Sequence, residues 1–322
     1  ASFMEYPSFF ASLALSVMAL RVYGVRGAGL RELIAFVAGA LVPTGLTMHF
    51  QRAAFGSPFL PGHRFVESEF LRHRHEQGFF GAEGFSVETA AELLFDARIG
   101  MFALTPLLAL GVVGYASRLR VREERLPSAV ALFIVVLSYL SVCTLNNYDG
   151  GWSIGARYLV LLLPFLGHGA LLVLGPLHRR SPLLATALMV GTGLAGLVSA
   201  MIPSLVYPHV PPEYDRPLRQ LFLMLASEGR WPPTLLEGVG LGGSVAVIGL
   251  TLAAAGAVVA MAVRGLRRED RLASVGAGLL LGALLLLPQL VGGRPAGHPD
   301  LERLDALVLD TFAETLPGGN GD

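Results

Sequence analysis

Blocks of roughly 16 to 25 apolar residues alternate along this chain with short stretches that hold nearly all of its charge. A bilayer core takes about 20 apolar residues to cross as a helix. The pattern therefore predicts eight membrane-spanning helices, over 8–20, 33–49, 99–116, 129–145, 158–175, 184–206, 239–263 and 272–291. The expected fold class is all-α: a polytopic membrane protein with short interfacial helices in its longer loops. Residues 1–291 form the transmembrane domain in this reading, and 292–322 form a tail. In that tail Leu301, Leu304, Val308 and Phe312 recur at spacings of three and four, the mark of a small amphipathic helix.

Composition agrees with the pattern. Of 322 residues, 53% are hydrophobic and 15% charged, where a soluble domain carries about a quarter charged. The net charge is zero, which removes the electrostatic case for nucleic acid as a partner. The single cysteine, Cys143, lies in an apolar run; it can form no intrachain disulfide and reads as a small buried apolar residue. All 24 basic residues are arginine, which reads as codon bias in a GC-rich genome.

The arginines are not evenly shared between the two sets of alternating loops. The short loops 21–32, 117–128, 176–183 and 264–271 hold thirteen arginines and five acids; everything else holds eleven and nineteen. Short loops rich in arginine stay in the cytoplasm. The loops 50–98, 146–157 and 207–238, and both chain ends, are then expected outside. An N-terminus outside requires a signal peptide or an earlier span, and the start "ASFMEYPSFF" has no basic n-region or small-residue cleavage site. The expectation is a C-terminal part of a larger membrane protein.

Polar and irregular sequence gathers on that outer side. Gly56, Pro58, Pro61 and Gly62 make the start of loop 50–98 a turn-rich hook. Residues 63–76 and 86–96 each suggest a short helix, the second opening with Ser86. His63, His73 and His75 lie nearby, but His73 and His75 are two apart and diverge on a helix, so no metal site is expected. In loop 207–238, residues 217–226 suggest a half-buried interfacial helix, and Glu213 and Asp215 read as solvated acids.

The tightest cluster is "NNYDGGWSIGARYL" at 146–159. Gly150, Gly151 and Gly155 let the backbone turn and approach a ligand closely. Arg157 opens the next helix at headgroup level, where a guanidinium can pair with a phosphate. It can equally be a snorkelling anchor, with Trp152 and Tyr158 as an aromatic belt. No predicted span has a charge near its centre, as an ion-coupled transporter needs. No Walker motif, no GxSxG elbow and no internal repeat is present.

Four stretches in order then carry a resemblance: "EYP" at 5–7, "AAFGSPFLPG" at 53–62, "LLFDARIGMFALTPLLAL" at 93–110 and "GGWSIGARYLVLLLPFL" at 150–166. Together, over residues 5 to about 175, the chain resembles bacterial multi-spanning glycosyltransferases of the GT-C superfamily, such as protein mannosyltransferases and lipid A aminoarabinose transferases. The resemblance implies an inverting transferase of the bacterial inner membrane and cell envelope. Its donor is a polyprenyl-phosphate-linked sugar, and its acceptor a glycan, lipid or protein on the extracytoplasmic face. It leaves a divalent metal open as cofactor. It implies that Asn147, Asp149, Gly150, Gly151, Ser153, Arg157 and Tyr158, with Ser57, His63 and Arg98, bind substrate or the carrier phosphate. The family's general base, a carboxylate in the first outer loop, is expected upstream of residue 1. His63 stands where the family has Tyr, and Asp96-Ala97 where it has Ser-Pro. Asp96 is expected to pair with Arg98 or to cap a helix.

Other classes compete with this one: an O-antigen ligase or polymerase, a transporter or flippase subunit, and a non-catalytic polyprenyl-phosphate-binding scaffold.

Overall fold

The computed structural model describes residues 12, 14–18, 21, 28–59, 84–146, 148–150, 153–206, 210–211, 214–227 and 243–291. Among them, helix is the only regular secondary structure. The first long helix, α1, runs Ala28–Phe55, 28 residues or about 42 Å. It overshoots the predicted 33–49 at both ends. Arg31, Glu32, Gln51 and Arg52 are good helix formers; they mark where an apolar stretch ends, not where the helix does. The helix stops at Gly56, which turns at φ +80° with its N–H on the Arg52 carbonyl at 3.0 Å, a left-handed stop that favours glycine.

The remaining helices are α2 Val87–Phe95, α3 Met101–Leu104, α4 Ala109–Arg118, α5 Arg125–Val142 and α6 Leu162–Arg180. Then come α7 Pro182–Val206, α8 Leu218–Ser227, α9 Gly243–Ala262 and α10 Arg268–Leu290. Five of these, α1, α5, α7, α9 and α10, are long and apolar enough to cross a membrane. That is fewer than the eight expected, for three reasons. Of 8–20, only 12 and 14–18 are described, all helical. Helix α6 carries His168 inside and ends on His178, Arg179 and Arg180. The segment 99–116 is not one helix, as expected, but is broken. Thr105 leaves helical geometry at φ −137°, ψ 76°, because a following proline disfavours it, and Pro106 opens a 3-10 turn before α4.

The surface of the long helices is apolar. On α1, Leu41, Val42 and Leu46 are 62%, 65% and 67% exposed, and on α10 Leu280 is 70% exposed. Isolated exposed leucines need no explanation, but whole helix faces of them do. Such faces are compatible with a bilayer.

Two helix pairs hold the bundle together by close backbone approach. In the parallel pair α4–α6, a Cβ on Gly114 would lie 1.9 Å from the Gly169 carbonyl oxygen. In α7–α10, a Cβ on Gly191 would lie 2.8 Å from the Gly278 carbonyl oxygen. Small residues at crossings are how helices pack where lipid removes the hydrophobic drive. Polar links reinforce the first pair: the Tyr115 hydroxyl donates to the Phe165 carbonyl at 2.9 Å. Pro176, inside α6, lacks the N–H that would take the Leu172 carbonyl. Arg118 of α4 supplies the missing donor, Nη2 to that oxygen at 3.3 Å.

Over 217–226, where an interfacial helix is expected, the structure has the helix α8, which buries Leu218, Leu221, Phe222 and Leu225. Arg219, at its start, donates to the Leu290 carbonyl at 3.4 Å and so caps α10. Asp215 is exposed. The expectations for 63–76, for the three histidines, for Glu213 and for the tail lie outside the described residues.

Candidate functional site

The site begins at the end of α2. Ser86 caps its start, Oγ accepting from the Thr89 N–H at 3.2 Å. Asp96 ends it. Its Oδ1 accepts from the backbone N–H groups of Arg98 at 2.8 Å and Ile99 at 3.0 Å. Of the two roles expected for Asp96, it plays neither: its carboxylate closes the turn that follows α2, and the Arg98 side chain turns elsewhere. Beneath the loop, Leu93, Ile99, Met101 and Leu108 pack with Val142, Leu159, Leu162 and Leu166 in one buried cluster. That cluster fixes the loop after α2 against the ends of α5 and α6.

Two backbone bonds then strap this loop to the glycine-rich one. The Gly155 N–H donates to the Arg98 carbonyl at 2.9 Å, and the Ala156 N–H to the Ile99 carbonyl at 3.2 Å. The strap brings side chains together. Arg98 Nη2 lies 3.5 Å from Asp149 Oδ2, with side chains 13% and 25% exposed. Arg98 Nη1 is buried and has no hydrogen-bond partner among the described residues. The Tyr148 hydroxyl donates to the Glu92 carboxylate. Burial first, then that bond to Glu92, holds the Tyr148 phenol above its ordinary value; it is a proton donor at all ordinary pH.

Gly150 sits at φ +72°, and a Cβ there would meet Arg157 Cγ at 2.8 Å. Glycine is thus required twice over, for the turn and for the arginine stem beside it. Arg157 itself is exposed. Its guanidinium carbon lies 5.2 Å from the centre of the Tyr158 ring, a cation–π contact, and Nη2 is 3.5 Å from the Tyr158 hydroxyl, the long limit for a hydrogen bond. Ser153 Oγ donates to the Gly155 carbonyl at 3.4 Å.

Six of the predicted site residues therefore meet in one clasp: Arg98, Asp149, Gly150, Ser153, Arg157 and Tyr158. Ser57 follows α1, its hydroxyl accepting from the Phe59 N–H at 3.4 Å; no bond links it to the clasp among the described residues. His63, Asn147 and Gly151 lie outside the described residues, as does Trp152. Glu92 and Tyr148 belong to the site and were not foreseen as such. They are 56 positions apart, and neither spacing nor periodicity links them.

The clasp carries two guanidiniums, one exposed on Arg157 and one on Arg98, whose Nη1 is buried and without a partner among the described residues. A divalent metal fits less well. Glu92, Asp96 and Asp149 each already accept from a protein donor, and among the described residues no group of three His, Cys, Asp or Glu could hold a metal ion. Against protein-family models, curated proteins and solved structures, the chain finds no match.

Proposed function

We propose that this protein is a polytopic bacterial membrane protein that holds a polyprenyl-phosphate carrier at its extracytoplasmic face, in the service of an inverting, GT-C-type glycosyl transfer. Eight crossings are proposed: the five long apolar helices, α6, the broken α3–α4 segment and the stretch over 8–20. From Leu162 to Arg180 α6 has 19 residues, about 28 Å, the thickness of a bilayer core. Its start then lies at one headgroup layer and its end at the other. The arginine-rich short loops assign the Arg180 end to the cytoplasm and the clasp to the outer layer.

The observation that carries the reading is the clasp. Arg157 stands exposed at the head of a membrane-length helix, and Arg98 lies one backbone strap away. A lipid-linked phosphate arriving in the outer leaflet meets the first guanidinium from the lipid side. Charge-assisted bonds to Arg157 would hold its oxygens, and a partly dehydrated setting strengthens each. Sugar departure leaves charge on that phosphate, so the same arginine stabilises the leaving group. Asp149 keeps the Arg98 guanidinium in place, and the Tyr158 ring does the same for Arg157.

The paired state of Glu92, Asp96 and Asp149 supports a second reading, a carrier-binding protein that does not itself transfer sugar. One experiment addresses both. The full chain in nanodiscs is titrated with polyprenyl phosphate, then given the sugar-loaded carrier. The expected outcome is saturable binding that Arg157→Ala abolishes. Unchanged affinity in that variant sinks the proposal, while binding without transfer selects the second reading.

A further inference from the structure

At the opposite end of α4 and α6 from the clasp, the two helices enclose a groove of about 430 Å³. Its wall is apolar, with Val113 on one side and Leu172, Val173 and Leu177 on the other; its end is cationic, with Arg118 and Arg180. Arg118 is oriented from two sides, by the Leu172 carbonyl at 3.3 Å and by Glu124 Oε1 at 3.1 Å. Arg180 is the last residue of α6, next to His178 and Arg179. It is exposed, and no ion pair satisfies it among the described residues.

We propose that this groove seats one anionic phospholipid, its phosphate on Arg180 and an acyl chain along Val113, Leu172 and Val173. The chemistry favours such an amphiphile. A free anion would make no use of the apolar wall, and a zwitterionic lipid would bring its own cation up against Arg180. Basic pockets between helices at the cytoplasmic level are suited to acidic headgroups. The seat lies where Pro176 breaks the α6 ladder, so a bound lipid braces the helix pair that also carries the clasp. The inference rests on the membrane placement proposed above, but not on polyprenyl phosphate as the outer ligand.

Native mass spectrometry of the full chain tests it, with phosphatidylglycerol and phosphatidylcholine offered in competition. The wild type should retain one phosphatidylglycerol in preference to phosphatidylcholine. Arg180→Gln should weaken that retention roughly fivefold, the effect of one arginine near an acidic surface. Val173→Trp, which fills the groove and leaves every charge, should abolish it; a preference that survives Val173→Trp is general surface attraction and overturns the proposal. Equal retention of both lipids, or a preference indifferent to Arg180→Gln, overturns it with the membrane placement intact. Retention of neither lipid overturns the placement too. Polyprenyl-phosphate binding in Arg180→Gln, expected unchanged, keeps failure of the groove apart from failure of the clasp.

Discussion

Arg98 in the clasp and Arg118 in the groove are both held by a carboxylate, but on different terms. Arg118 is the more exposed, 24% against 13%, yet its carboxylate is nearer, 3.1 Å against 3.5 Å. Both of its terminal nitrogens are used, one on Glu124 and one on the carbonyl that Pro176 leaves free. Arg98 is deeper, more loosely paired, and has a buried nitrogen with no partner among the described residues. A buried donor left unsatisfied costs about 1–3 kcal/mol. The fold satisfies Arg118 with a backbone carbonyl and leaves Arg98 with an unbonded buried nitrogen among the described residues. In one place arginine supplies a donor that a helix lacks; in the other it pairs with a carboxylate across two strapped loops.

The comparison breaks most severely if the shared scaffold is removed. Gly114→Leu places side-chain atoms where the Gly169 carbonyl already is, and backbone cannot rotate away. A loss of about 3 kcal/mol or more is expected, seen as loss of folded protein in size-exclusion and thermal unfolding, with clasp and groove failing together.

Next in size is the contrast between the two carboxylates. Asp149→Ala leaves a largely buried guanidinium without its counter-charge and should cost about 2 kcal/mol or more. Glu124→Ala removes a partner that is 43% exposed and should cost less than about 1 kcal/mol. Equal costs by chemical unfolding would erase the distinction drawn above.

Tyr148→Phe removes the donor to Glu92 and should cost about 1 kcal/mol. Because the folded phenol is held above its ordinary value of 10.0, the stability it lends is fully present below pH 10 and is lost as pH rises through the folded value. The difference between wild type and Tyr148→Phe should thus be constant from neutral pH to about 10 and shrink only beyond it. Smallest is Ser86→Ala, which removes the α2 cap for about 0.5–1 kcal/mol, read as faster amide exchange confined to α2.

Much of the helical fold was legible in the apolar blocks, because a long helix with an apolar surface is written as a long uninterrupted apolar run. Helix ends were not legible. Arg31, Arg125 and Arg268 are all helical, since a charge ends contact with hydrocarbon and not the hydrogen-bond ladder. The break in 99–116 was present as Pro106, but an apolar run on both sides hid it. Within the site, the glycines and Arg157 stood out by local contrast. The strap from Gly155 and Ala156 to Arg98 and Ile99 did not, nor did the Tyr148–Glu92 pair, because backbone pairing between distant loops leaves no period to detect.

The central claim, that the clasp is where a lipid-linked phosphate binds, is tested most directly by photolabelling. A polyprenyl phosphate carrying a photoreactive group near its headgroup is bound to the full chain, and the labelled peptides are mapped. The account predicts labelling within 96–100 and 148–160, displaced by unlabelled polyprenyl phosphate and absent in Arg157→Ala. Labelling that falls instead on 113–122 and 172–180, or that unlabelled carrier does not displace, would contradict it.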